Sequence, residues 1–302
     1  MGHDHHHHHS HQVSGKNMAV AIFLNIVITA GQVAGGMISG SVALLTDALH
    51  NFSDVVALLL SYTTNRIAKR KSTIKQTYGF KRAEILSAFV NSAVLTGIAL
   101  FLIVEAVQRF YSPHPIESDL VIWFAAGSIV INFISVLMLQ KDAKENMNIK
   151  SAYLHLMTDV MTSVAVLGGG IVMKYFGIFW VDALLSIAIA LYLIVSSYKL
   201  LTGTIKILMQ FTPAGIDIEE INSRVIAIKG VKNLHHVHVW QLDEKTTLFE
   251  AHIDLTNDIN ITGFQEILNR IEVVLHDFGI FHFNIQPEFN RNDSKEIIVQ
   301  SE

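Results

Sequence analysis

The sequence predicts a membrane-embedded bundle of six α-helices followed by a small α+β domain. Three observations lead there. Of the 302 residues, 51% are hydrophobic and only 16% are charged, against roughly 25% charged in ordinary soluble domains. The apolar residues up to about position 210 gather into runs too long for a soluble core. From Asp217 onward the pattern changes to the short helical and alternating periods of a small folded domain.

Taken in order, residues 1–16 form a low-complexity head with seven histidines among the first eleven residues and no pattern that packs a core. It reads as a flexible tail that captures metal ions or as an expression tag, although Asp4 and Ser10 interrupt the run. Six apolar runs follow, over 18–38, 42–65, 84–110, 118–139, 151–174 and 178–202, each close to the ~20 residues that cross a bilayer as a helix. They make a transmembrane domain of 17–211. None of the four prolines falls inside a run: Pro113 and Pro115 follow the third, Pro213 follows the sixth, and Pro287 lies far downstream. Polar, His-rich sequence precedes the first run and no small-residue cleavage site closes it, so it reads as an uncleaved anchor. Cysteine is absent, which excludes disulfides and thiolate metal sites.

Basic residues set the expected orientation. Arg66, Lys69, Arg70, Lys71, Lys75, Lys81 and Arg82 lie between the second and third runs, and Lys141, Lys144 and Lys150 between the fourth and fifth. The opposite loops offer only Arg109 and Lys174. By the positive-inside rule both termini face the cytoplasm.

Residues 212–292 read as the small domain and 293–302 as a tail. Ile218, Ile221, Val225 and Ile228 lie on one face of a helix over 217–229. HHVHVWQL and LFEAHIDL alternate as strands around a turn containing Asp243, Glu244 and Lys245. Residues 263–278 return to helical period, and HFNIQPEF closes as a third strand. The order α-β-β-α-β is that of a ferredoxin-like α+β domain. Strand alternation turns Val237 and Val239, then Phe249, Ala251 and Ile253, then Phe281, Phe283 and Ile285 toward the core. His236, His238, His252 and His282 then share the opposite face with Glu250, Asp254 and Glu288. They are candidate ligands of a regulatory metal ion, or else solvated surface histidines.

The chemistry lies in a repeat. LHNFSDV, residues 49–55, recurs as LHLMTDV, residues 154–160. Each copy places a His and an Asp four positions apart, about 40° around one helix face. An ionisable residue at the centre of a bilayer costs roughly 2.5–3.5 kcal/mol on insertion scales. A divalent cation removes that burden: His50, Asp54, His155 and Asp159 offer two imidazole nitrogens and two carboxylate oxygens, a set that suits Zn2+. The competing readings are hydrogen bonding between helices and a proton relay. Asp47, three residues before His50, is either a supporting partner or a polar residue near the membrane surface. Asn25, Gln32, Asn91 and Asn132 read as interhelical hydrogen-bonding groups.

Together these features resemble the cation diffusion facilitator family: paired HxxxD motifs on spans two and five, six spans, the DALHNFSD context, the His-rich head and the small C-terminal domain. The resemblance covers nearly the whole chain. It implies a homodimer in the lipid bilayer, in a bacterial cytoplasmic membrane, that exports Zn2+ and in some members Cd2+ or Co2+ from the cytoplasm in exchange for protons. It also implies that His rather than Asp at position 50 favours zinc over cadmium, and that the soluble domain binds regulatory Zn2+. The chain departs from some members in two places. Residues 66–82 contain no His, Asp or Glu for a metal site in that loop, and Gln210 stands where an acid pairs with the basic start of span three. Two other classes stay open: a membrane-embedded metal sensor, and a metal-dependent hydrolase, for which neither motif supplies the Glu of HExxH. Nothing points to a nucleic-acid partner.

Overall fold

The computed structural model describes residues 15–140 and 147–298. The His-rich head therefore lies outside the described residues, apart from Gly15 and Lys16, which begin the first helix. Six long helices come first: α1 Gly15–Ser39, α2 Val42–Ala68, α3 Arg82–Tyr111, α4 Ser118–Leu139, α5 Met147–Phe176 and α6 Trp180–Leu208. They coincide with the six apolar runs. Among the described residues, four stretches are long and apolar enough to cross a membrane: α3, α4, Tyr153–Phe176 of α5, and α6. The apolar part of α1 described in this way is shorter, Phe23–Ser39, and α2 carries Asp47, His50 and Asp54 along its length. The protein is an integral membrane protein.

The chain divides into two compact units, Met1–Leu60 with Asn91–Lys199, and Ser61–Val90 with Leu200–Glu302. In the first, α4 packs along α5 and α1 along α4. Close approach needs small residues: a Cβ on Gly35 would fall 2.3 Å from the Phe124 ring, and one on Gly36 would fall 3.0 Å from the Leu45 backbone. Gly40, at φ +74°, makes the turn from α1 to α2. The start of α2 is then capped from a distant part of the chain. Asp182, in the first turn of α6 and 2% exposed, accepts from the amides of Val42 at 2.7 Å and Ala43 at 3.3 Å, and from the Ser41 hydroxyl. That carboxylate satisfies amides every helix start leaves without partners, and so fixes where α2 begins. Asp182→Ala strips buried amides of their acceptor at about 1–3 kcal/mol. Thermal unfolding of the purified protein in detergent should show a lowered midpoint, with a smaller drop for Asp182→Asn, which keeps one acceptor oxygen.

In the second unit, α7 (Ile218–Ile226), β1 (Val231–Gln241), β2 (Thr247–Leu255), α8 (Ile261–Asp277) and β3 (His282–Glu288) follow in the expected order. Asp217 caps α7 by accepting from the amides of Glu219 and Glu220, and Asn260 caps α8 through Gly263. The sheet order is β1-β2-β3, with β1 antiparallel and β3 parallel to β2. Ile221, Val225, Val237, Val239, Phe249, Ala251, Ile253, Ile271 and Leu275 form its core. One core expectation fails. Phe281 is 72% exposed because β3 begins only at His282, and its ring lies against His276 outside the core instead. The β1–β2 turn is held by Asp243, which accepts from the amides of Lys245 and Thr246 and lies 3.8 Å from Lys81 in the basic α2–α3 loop.

Candidate metal centre

The two HxxxD copies meet. Helical spacing puts His50 and Asp54 on one face of α2 and His155 and Asp159 on one face of α5, and the two faces converge. His155 Nε2 lies 3.0 Å from Asp54 Oδ2, and His50 Nε2 lies 3.4 Å from Asp159 Oδ1. Within each helix, His50 Nδ1 stands 3.4 Å from Asp54 Oδ2 and His155 Nε2 stands 3.9 Å from Asp159 Oδ2. The two imidazoles meet edge to face, with centroids 5.5 Å apart, and Tyr192 of α6 approaches His50 from another side. One ligand atom from each of the four residues falls within 4.8 Å of all the others.

Burial is uneven. Asp159 is fully buried and His50 nearly so, whereas the side chains of Asp54 and His155 are 24% and 40% exposed. The cluster is thus closed on one side and approachable on the other. Both ring nitrogens of His50, Oδ2 of Asp54 and both oxygens of Asp159 are buried without a hydrogen-bond partner. Buried polar atoms are normally paired, and a cluster with this many unpaired atoms departs from that rule.

Asp47 belongs to a neighbouring hydrogen-bond network in which its own carboxylate is well paired. Its carboxylate, wholly buried, accepts from Gln32 of α1 at 2.7 Å and from Thr162 and Ser163 of α5 at 2.9 and 3.1 Å. Asn51 donates to Gln32, and Ser163 continues to Ser128 and Asn132 of α4. Asp47 is therefore a buried interhelical hydrogen-bond acceptor. The network joins four helices beside the unpaired cluster and holds α2 against α5.

A second cluster lies in the sheet, and it differs from the expected set. His235, His252, Glu288 and Asp293 come together. His252 Nδ1 is 3.0 Å from Glu288 Oε1, and His235 Nε2 is 3.2 Å from Glu288 Oε2. Of the four histidines expected here, only His252 belongs to the cluster. His236 stacks on the His252 ring at 4.7 Å and His238 meets His236 edge-on at 5.0 Å, so both flank it. His282 is elsewhere: it pairs in register with Leu248 while His252 pairs with Gln286, four residues or about 13 Å along the strand. Its ring lies near Tyr78.

Alternation missed His235 because β1 is not regular. A bulge between His235 and His238, with His236 at φ +51°, breaks the two-residue period. His235 thereby leaves the face of Val237 and Val239 and turns to His252, buried to 1% exposure. Alternation had set Glu288 beside His252, but it had no means of placing Asp293, which arrives from the tail. The tail also brings Lys295, whose ammonium reaches Asp254 at 3.0 Å, Glu288 at 3.1 Å and Asp293. Desolvation opposes the charge on Lys295, yet the hydrogen bonds it donates to Asp293, Asp254 and Glu288 outweigh it and hold the ammonium above its usual range. The same hydrogen bond to Lys295 lowers the Asp293 carboxyl.

Known proteins share this plan. Residues 18–209 match the family model of the cation efflux transmembrane domain, and residues 213–289 match that of the cation efflux protein cytoplasmic domain. The chain is 32% identical to the cadmium, cobalt and zinc/H(+)-K(+) antiporter of Bacillus subtilis strain 168, over 99% of this chain and 96% of that protein. It is 33% identical to the metal cation efflux system protein CzcD of Cupriavidus metallidurans, over 95% of this chain and 90% of that protein. It is also 33% identical to the zinc transporter ZitB of Escherichia coli K12, over 87% of this chain and 85% of that protein.

Proposed function

The chain belongs to the cation diffusion facilitator family, and from that premise we propose that it exports Zn2+ from the cytoplasm in exchange for protons. The observation that carries this reading is the convergence of His50, Asp54, His155 and Asp159, with five of their buried nitrogen and oxygen atoms left without hydrogen bonds. Zinc takes such ligands tetrahedrally with bonds of about 2.1 Å, which sets the ligand-to-ligand edges at about 3.4 Å. Of the two inter-helix distances, 3.4 Å equals that edge and 3.0 Å is somewhat shorter. Six spans, both termini in the cytoplasm and a homodimer in a bacterial inner membrane belong to the same reading.

Coupling follows from the ligands. Metal binding requires neutral imidazole and ionised carboxylate, so protons and Zn2+ compete for the same four side chains. When the cluster opens to the cytoplasm, Zn2+ displaces protons. When it opens to the other, more acidic side, protons displace Zn2+. A single tetrahedral site exposed alternately to the two faces is sufficient. Purified protein in liposomes should move Zn2+ against a pH gradient with opposite proton flux; zinc movement indifferent to the gradient removes the exchange mechanism.

Selectivity should depend on position 50. His50→Asp replaces a nitrogen donor by oxygen, and the variant should admit Cd2+ more readily relative to Zn2+. Competition uptake with both ions measures the ratio, and an unchanged ratio places selectivity elsewhere.

The sheet cluster supports a regulatory role for the same ion. His235, His252, Glu288 and Asp293 offer two nitrogens and two carboxylates within the small α+β domain. Metal there favours one arrangement of the soluble domains in the dimer, and thereby one conformation of the transporter, to the extent that it binds the two arrangements with different affinity.

A further inference from the structure

We propose that Lys295 is a tethered cation: its ammonium occupies the seat that His235, His252, Glu288 and Asp293 offer to a divalent metal ion, so metal enters only by displacing it. This rests on the reading of that cluster as a regulatory metal site and adds the device that sets its threshold.

The geometry is one of shared partners. Lys295 Nζ lies 3.1 Å from Glu288 Oε2, bonds Asp293, and stands 3.4 Å from His235 Nε2. Those are three of the four groups of the cluster. A fourth contact, 3.0 Å to Asp254, anchors the ammonium from outside it. The lone pairs that a metal needs on Glu288, Asp293 and His235 therefore face a positive charge already.

The seat is not used fully by that charge. His252 Nδ1 is buried and lacks a hydrogen-bond partner, although Glu288 Oε1 is 3.0 Å away. The ammonium is engaged with the other three groups instead. A divalent ion engages His252 as well and brings twice the charge, so it gains what the ammonium cannot. At low metal the tethered group holds the site because it is always present; at higher metal the ion replaces it.

Backbone contacts put Lys295 in place. The amides of His236 and Val237, at the β1 bulge, donate to the carbonyls of Glu296 and Ile297 at 3.2 and 2.8 Å. Ile297 packs against the domain core. Residues 293–297 thus form a strap across the end of the cluster. The side chain itself is freer, at 30% exposure, and borders an open cavity of about 270 Å³ lined by Lys232, Asn233, Asp254 and Asn292. An evicted ammonium has somewhere polar to go while the strap stays paired.

The test uses the full-length protein with Asp159→Asn added to every sample, so that the transmembrane cluster is disabled equally throughout. Zn2+ binding is measured by competition with a chromophoric chelator for the parent, Lys295→Met, Lys295→Gln and Lys295→Arg, each with and without His252→Ala. Removing the ammonium should tighten the His252-dependent binding about tenfold or more, equivalent to about 1.4 kcal/mol, while Lys295→Arg stays near the parent. Binding seen only after Lys295 is neutralised, and lost with His252→Ala, supports the proposal equally. Unchanged or weaker His252-dependent binding in both Lys295→Met and Lys295→Gln overturns the tethered cation and leaves the regulatory site standing. Absence of His252-dependent binding in every variant overturns the regulatory site and the tethered cation together.

Discussion

Asp159→Ala is expected to abolish zinc flux in protein that remains folded. Asp159 is fully buried, and its two oxygens approach His50 and His155 from α5 at 3.4 and 3.9 Å. Removing it takes away one of four ligands and leaves the cluster with a single carboxylate. Loss of a hydrogen bond that merely orients a ligand costs a metal site about 10–100-fold, so loss of the ligand itself should exceed that. Stability should not suffer. Neither oxygen has a hydrogen-bond partner, so truncation orphans no donor and removes a buried carboxylate. Asp54→Ala should behave alike, while Asp159→Asn separates charge from shape. The measurement is Zn2+ uptake by proteoliposomes at matched protein content, with thermal unfolding as the control. Wild-type flux in folded Asp159→Ala would sink the assignment.

Changing the two cluster histidines of the sheet should act differently. In His235→Gln with His252→Ala, the zinc concentration for half-maximal transport should rise while the plateau is preserved. Both residues touch Glu288 and neither belongs to the transmembrane cluster. Glutamine is chosen at 235 because that side chain is 1% exposed, with its ring nitrogens 3.0 Å from Asn233 and 3.2 Å from Glu288; alanine there would open a void. The comparison that discriminates is His236→Ala, His238→Ala and His282→Ala together. Two of these flank the cluster and one lies at the far end of β3, so the curve should move little. Superimposable curves for all three proteins remove the regulatory role from the sheet histidines. A lost plateau in folded His235→Gln/His252→Ala means that transport itself depends on the soluble domain.

The transmembrane cluster was legible because its information is local. A His and an Asp at helical spacing lie on one face whatever the rest of the chain does, and finding that pair twice in apolar sequence already points to four ligands. Long apolar runs likewise located the six long helices, although α6 ends six residues beyond the sixth run. The soluble cluster was not legible in the same way. Strand alternation assigns faces only while the two-residue period holds, and one residue of bulge transfers every later or earlier side chain to the other face. His236 at φ +51° makes that transfer, and so His235 joins His252 where a regular strand would have buried it among Val237 and Val239.

Sequence by itself determined the class of protein, the order of helices and strands, and the pairing of His with Asp inside α2 and inside α5. All of these follow from hydrophobic period and the geometry of a single turn. Tertiary structure alone decided that those two helices meet with His facing Asp, that Asp182 caps a helix start 140 residues away, and that Asp293 and Lys295 return across the sheet. Each joins positions far apart in the chain, and such meetings depend on how faces pack and where the backbone bulges, which the pattern along a chain does not record.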